Sequence, residues 1–427
     1  MVELKEYNFS DLYEMSSGLS SKKEQAGHGS PFVSFRTVFN NYFLPNELED
    51  KMDTSLSEQE IYSVKADDIL LTRTSETIDE LGMSCVVLND VQNATYSGFT
   101  KRLRPKVKGV VYSKYIGFYL RTKMFRKTMT NNAFMTLRAS LNDEIFSYLK
   151  LYLPDYQTQV KIGDFLYSLN QKIALNNKTN TELENMGKTI YDYWFTQFDF
   201  PDKNGHPYKT SGGQMVYNET LKREIPAGWE VKSLSQICEL QRGVTYGKDD
   251  EMSESDENVV QILRGNNISN NHIVYDSNTV YVSSDLVTKE QKIKKFDVVI
   301  TMSSGSKEHV GKSAMFLFDS PHSYGAFCNK LTPLNESQFF VENFMHSYFF
   351  KIYINHVCIG TGINNLKGEH FSKVYFAYPA DSVLKQFNEI MKPIYEKRSY
   401  MEQANEELTK LRDYLLPLLM NGQIEVK

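Results

Sequence analysis

The stretch GSKEHVGKS (Gly305 to Ser313) comes nearest in this chain to a phosphate-binding loop. Such a loop folds backbone N–H groups around phosphate oxygens and needs four residues between its glycines, with a lysine reaching the outer phosphates. Here five residues separate Gly305 from Gly311. A matching stretch, Glu76 to Ser84, keeps Gly82 but has neither the first glycine nor the lysine, so the position reads as scaffold. The run GTGINN (Gly360 to Asn365) lacks the third glycine of a dinucleotide fingerprint and reads as a loop. A nuclease-like Pro201–Asp202 precedes Glu230, Val231 and Lys232, but Asp202 lies in a Gly/Pro-rich connector. No Asn-Pro-Pro-Tyr/Phe or Asp-Pro-Pro-Tyr methyltransferase loop and no Gly-x-Ser-x-Gly occurs. Cys85, Cys238, Cys328 and Cys358 are never two residues apart, and the eight histidines make no paired ligand signature. The chain therefore reads as catalytically silent, with free thiols and no metal.

What remains is chemistry for a polyanion. Lys101 to Lys127 holds ten basic residues and no acid, interleaved with Tyr112, Tyr115, Phe118, Tyr119 and Phe125. The overall charge is −5, yet residues 1–100 sum to −10 and residues 101–150 to +10. Distribution rather than total sets the field that DNA would feel. Lys101, Arg102, Arg104 and Lys106 are expected to meet phosphates. Two polar loops beside strands, RTSET (Arg73 to Thr77) and SSGSK (Ser303 to Lys307), carry Arg73, Ser75, Ser304, Ser306 and Lys307 toward base edges. Arg36, Arg138, Arg264, Asn364 and Lys367 complete the candidate DNA contacts.

The elements that must hold these residues occur twice. FSDLYEMSSGL (Phe9 to Leu19) aligns with LSQICELQRGV (Leu234 to Val244), placing Gly18 on Gly243. DILLTRTSETIDELGMS (Asp68 to Ser84) aligns without gaps with DVVITMSSGSKEHVGKS (Asp297 to Ser313), and YSGFTKRLRP (Tyr96 to Pro105) with YGAFCNKLTP (Tyr324 to Pro333). Collinear matches with small compensating gaps mean two diverged copies of one unit. Short β-branched and aromatic runs such as DILLT, CVVL, DVVIT and AMFLF predict an α+β fold for residues 1–154 and 229–379.

Each copy is followed by a helix. Between Gln157 and Gln197 there is no proline, and Ile162, Leu166, Leu169, Ile173, Asn176, Asn180, Leu183, Gly187, Ile190 and Trp194 alternate by four and three residues. That is a coiled-coil seam. Phe387, Met391, Ile394, Arg398, Met401, Asn405, Leu408, Arg412, Leu415 and Leu419 repeat it, with Pro393 expected to kink the second helix and Pro417 to end or bend it. The expected architecture is two pseudo-symmetric α+β domains with spacer helices at 155–198 and 380–427, paired through Leu169, Ile173, Asn180, Leu183, Met401, Asn405 and Leu408 as an antiparallel coiled coil. Asn180 and Asn405 would fix register. Residues 199–228, rich in Gly, Pro, Asn and Lys, read as an irregular connector. The longest apolar runs, such as IGFYL and YLLPLLM, are too short to cross a bilayer, and the acidic start MVELKEYNFSD is unlike a secretory leader. A cytoplasmic chain is expected.

This arrangement resembles the specificity subunit of type I restriction–modification enzymes. The resemblance rests on LYLP (Leu151 to Pro154), QVKIGDFLYSLNQKIALNNKTNTELENMGKTIYDYWFTQFDFP (Gln159 to Pro201), IPAGW (Ile225 to Trp229) and NEELTKLRDYLLPLLMNGQIEV (Asn405 to Val426). It covers nearly the whole chain. Two departures stand: the first copy lacks an Ile-Pro-x-Gly-Trp start, and the usual Pro-Pro-x-x-Glu-Gln helix start is PDYQTQ (from Pro154) and PADSVLKQ (from Pro379). The resemblance implies two target recognition domains, each reading half of a bipartite double-stranded DNA sequence. It also implies docking of two modification subunits that bring S-adenosylmethionine and adenine-N6 methylation, and of restriction subunits that use ATP and magnesium. The alternatives are a protein-bridging scaffold or an autonomous DNA-modifying enzyme with an unrecognised site.

Overall fold

The computed structural model describes residues 3–75, 81–132, 139–140, 143–269, 271–274, 279–358 and 364–426. It forms two compact units, Met1–Leu175 with Ala404–Lys427, and Asn176–Gln403. Each unit holds one copy of the repeat and part of each long helix.

The copies build the same main sheets, and the second adds a pairing of Ile268–Ser269 with His272–Ile273. In the first unit, a four-stranded antiparallel sheet runs Tyr13–Ser17, Thr100–Pro105, Ile69–Thr72, Ser84–Val86. In the second, the order is Cys238–Arg242, Cys328–Pro333, Val298–Thr301, Ser313–Met315. Ile69–Thr72 and Val298–Thr301 are buried at every residue. Strands covered on both faces read as continuous apolar runs, which is why ILLT and VVIT do not alternate. A three-stranded sheet centred on Ala26–Val33 is matched by one centred on Val259–Leu263, each with a parallel partner, Thr95–Tyr96 or Ser323–Tyr324. Lys5–Asn8 pairs with Lys150–Leu153, and Glu230–Ser233 with Tyr375–Tyr378. That pairing ties the first strand of each copy to the last one before its long helix.

Gly18 and Gly243 coincide in the repeat because two chains cross there. A Cβ on Gly18 would stand 2.1 Å from the Ser97 carbonyl oxygen, and one on Gly243 2.2 Å from that of Gly325. Beside them, Leu19 N donates to Tyr96 O (2.9 Å) and Val244 N to Tyr324 O (2.7 Å). Asp68 and Asp297 share a second device. Each buried carboxylate accepts from the backbone N–H three residues earlier, Lys65 at 2.8 Å and Lys294 at 2.7 Å, closing the turn before the central strand.

The first long helix spans Tyr156–Tyr191 and widens into a π-turn over Asp192–Thr196; the second spans Asp381–Met420. At 1.5 Å per residue they are about 54 and 60 Å long. In the first unit, Ile162 and Leu166 share a core with Leu416, Leu419 and Met420, and Arg412 Nη1 donates to Asn170 Oδ1 (3.5 Å). In the second, Tyr191 and Phe195 meet Phe387 (ring centroids 6.5 and 4.7 Å), and a Cβ on Gly187 would touch Met391. Within each unit the numbering rises along one helix as it falls along the other. The helices form an antiparallel coiled coil. Every residue of the first seam from Ile162 to Trp194 is buried or half-buried, Leu169, Ile173 and Leu183 included; Met401, Asn405 and Leu408 are half-buried in the second. Asn180 is 3% exposed, and its Oδ1 has no hydrogen-bond partner among the described residues.

The expected helix end at Pro417 and the irregular connector are corrected. The second helix runs on through Pro393 and past Pro417 to Met420. Both prolines lie on the exposed face, where the carbonyl groups they leave without an N–H partner meet water. The connector is ordered: Met215–Asn218 pairs with Arg223–Pro226, and Phe200 stacks on Tyr208 (4.6 Å) and Trp229 (5.2 Å). Asp202 staples a turn by accepting from the Asn204 and His206 N–H groups, both at 2.8 Å. These bonds hold its carboxyl below the usual range.

Candidate nucleic-acid interface

Each unit assembles one edge from segments distant in sequence. In the first, Thr74–Ser75 pairs with Ala139–Ser140, so Ser75 faces Ala139. In the second, Ser303–Ser304 pairs with Asn364–Asn365, bringing Ser304 opposite Asn364. Their supporting bonds match as well. Gly82 N donates to Thr72 O and Gly311 N to Thr301 O, both at 2.9 Å. Those glycines take φ of +65° and +82°, a conformation that side chains disfavour. Arg73 N donates to Phe99 O and Met302 N to Phe327 O, both at 2.8 Å, while Leu366 N reaches Met302 O (2.7 Å). GSKEHVGKS runs from one short strand through a one-turn 3-10 helix (Lys307–His309) into the strand Ser313–Met315. A phosphate loop would instead open a long helix.

Arg73 is half-buried, and its Nε has no hydrogen-bond partner among the described residues. Ser304 is half-buried, with its Oγ accepting from Ser306 N (3.2 Å), and Ser306 is exposed. Lys307 begins the one-turn helix, and Lys367 is exposed, loosely paired with Glu369 at 3.9 Å. Arg36 is exposed on the short helix Phe35–Asn40, and Arg264 is half-buried where the strand Val259–Leu263 ends. Arg138 falls outside the described residues. The loops around Arg73 and Ser304 thus come together with their partner strands. Arg36 and Arg264 belong to other segments.

The basic run is corrected. It folds into the strand Thr100–Pro105, the helix Ser113–Tyr119 and the helix Lys123–Asn132. Tyr115, Phe118, Tyr119 and Phe125 are core residues, each at most 2% exposed. Because Thr100–Pro105 lies inside its sheet, the cations on it need internal partners. Arg104 donates to both oxygens of Asp68 (2.8 and 2.7 Å) and to Ser63 O (3.0 Å). The Asp68 hydrogen bonds raise its pKa above the ordinary value. Arg102 donates to Ser63 O (2.7 Å) beneath the Tyr96 ring, and Lys101 reaches Ser17 Oγ (3.0 Å). Arg121 gathers the carbonyls of Val38, Phe39, Asn41 and Ser84. Of the four expected phosphate contacts only Lys106 is exposed, and its Nζ donates to Ser10 O (2.8 Å). The second copy does the same: Lys330 Nζ lies 3.0 Å from Asp297, whose other oxygen accepts from Thr332 (2.6 Å).

Arg104→Ala would leave the fully buried Asp68 carboxylate without its cation. The variant is expected to lose about 3 kcal/mol of stability. Chemical denaturation followed by circular dichroism measures this. A change within a few tenths would return Arg104 to the surface.

Three comparisons bear on this geometry. The sequence model described as "Type I restriction modification DNA specificity domain" matches residues 1–185 and 226–410. The StySPI type I restriction enzyme specificity subunit of Salmonella potsdam is 31% identical over 207 residues, covering 47% of this chain and 44% of that relative. This chain therefore spans under half the length of that relative. The HindI specificity subunit of Haemophilus influenzae is 24% identical over 476 aligned positions, covering 99% of this chain and all of that protein. A crystal structure of the type I S subunit from M. genitalium superposes with a TM-score of 0.56 at 13% identity, covering 98% of this chain and 96% of that one, a likeness of fold. Among the described residues no helix is long and apolar enough to cross a membrane.

Proposed function

Because this chain belongs to the type I restriction–modification DNA specificity family, we propose that it is the DNA-reading subunit of such a system. It recognises a bipartite duplex sequence, one half through each copy, and performs no chemistry itself. The observation that carries this is the duplicated edge: Thr74–Ser75 with Ala139–Ser140, and Ser303–Ser304 with Asn364–Asn365, on equivalent strands of equivalent sheets. Duplicated readers contact half-sites at a fixed spacing. Arg73, half-buried at the start of the first edge, supplies a guanidinium of the kind that pairs with acceptors on a base edge. The coiled coil sets the spacing and offers docking faces to two modification subunits, which bring S-adenosylmethionine and methylate adenine. Restriction subunits using ATP and magnesium complete the nuclease, in the cytoplasm.

Substitutions at the two edges test the division of labour. Arg73→Ala is expected to relax base preference in one half-site, and Ser304→Ala with Ser306→Ala in the other. Removing one good hydrogen-bonded pairing with a base costs about 1–3 kcal/mol of discrimination. Selection from random duplexes, using the chain assembled with its modification partner, reads both. Equal relaxation of both half-sites by either variant contradicts the proposal.

A further inference from the structure

A turn that exposes a phenylalanine occurs at the same place in both copies. Phe99 is 61% exposed and Phe327 70%, in YSGFT (Tyr96 to Thr100) and YGAFC (Tyr324 to Cys328). Both turns are closed, Thr100 N donating to Ser97 O (2.9 Å) and Cys328 N to Gly325 O (2.8 Å). Each phenylalanine carbonyl is then fixed to the loop that leads into the proposed reading edge, by Arg73 N in one copy and by Met302 and Ser303 N in the other. The backbone beneath each ring is therefore rigid, while the ring itself faces water.

One exposed apolar residue needs no explanation. The same residue at the same turn of two diverged copies does, because core packing cannot be what keeps it. The copies differ at Ser97/Gly325, Gly98/Ala326 and Thr100/Cys328, yet both present phenylalanine between them. Arg73 and Ser304 on the two edges are of residue types that suit a hydrogen-bonding feature of a base. The ring suits the one apolar feature the major groove displays, the thymine 5-methyl group. A ring on a closed turn also loses little freedom on binding, which favours a specificity role.

We infer that Phe99 and Phe327 are specificity-determining residues, each giving its own half-site an apolar contact to a thymine methyl. This rests on the reading of the chain as a bipartite DNA reader, and the experiment separates the two. Targets are selected by the assembled full chain, and deoxyuridine, which lacks the methyl, then replaces each thymine in turn. One thymine in each half-site is expected to lose about fivefold in affinity, the worth of one methyl group removed from water. Phe99→Ala should show the same loss on the unmodified target, in one half-site only, with no further loss on the deoxyuridine duplex. Phe327→Ala should do so in the other. Thermal melting of both variants should match the parent, since the rings are exposed. A bipartite target with no methyl-sensitive thymine, or one that stays equally sensitive in the alanine variants, overturns this inference and leaves the DNA reading standing. Selection of no bipartite target removes both.

Discussion

A chain with four residues inserted after Leu175 and four after Gln403 is expected to choose targets whose unspecified gap is one or two base pairs longer. Those are the points at which the two compact units divide, so the packing within each unit is left as it is. Ile162 and Leu166 keep Leu416 and Leu419, and Gly187 and Tyr191 keep Met391 and Phe387. Four helical residues add about 6 Å, with a local phase change that coiled coils absorb as a stutter. Base pairs stack about 3.4 Å apart, which converts the added length to one or two pairs. The half-site sequences should not change, because no residue of either edge moves within its own domain. Methylation by the reconstituted complex on duplexes with gaps varied one pair at a time measures it. An unchanged gap preference would mean that the helices are not the spacer.

An effect of similar size is expected from one added methyl group. Gly18→Ala places a carbon 2.1 Å from the Ser97 oxygen, and Gly243→Ala one 2.2 Å from the Gly325 oxygen. Backbone cannot yield as a side-chain tip does, so the crossing chains must part by about an ångström, at a cost of about 3 kcal/mol by overpacking. The bonds at risk are Leu19 N to Tyr96 O and Val244 N to Tyr324 O, which stand beside the turns of Phe99 and Phe327. Gly18→Ala should therefore abolish discrimination in one half-site while the other keeps its preference, and Gly243→Ala should do the reverse. Target selection and melting of each variant check this. Normal melting with both half-sites read normally would show that the crossing relaxes freely.

The duplication was legible because its strongest matches are backbone requirements. Gly18/Gly243 mark a crossing of chains, Gly82/Gly311 a left-handed turn, and Asp68/Asp297 a stapled loop. Such positions tolerate few residues and persist as sequence letters. The helical seam was legible for a similar reason, since its four-and-three spacing is the buried face itself. The basic run misled because charge along a strand says nothing about what lies beside it. Arg104 finds Asp68, and Lys330 finds Asp297, only through sheet pairing. Pro417 misled because a helix can run on past a proline, here for three residues to Met420. The connector hairpin left no glycine signal, since its turn carries Lys222 at φ +53°. Phe99 and Phe327 stood in plain view as aligned letters, but only their exposure separates them from core phenylalanines such as Phe118.

The central claim is that this chain directs modification to a sequence in two parts. Mapping methylated adenines in a host that carries this chain with its modification subunit tests it most directly. The expected result is one motif of two defined blocks separated by a fixed, unspecified gap, and its loss when this chain is deleted. A single contiguous motif, or methylation that persists without this chain, would contradict it.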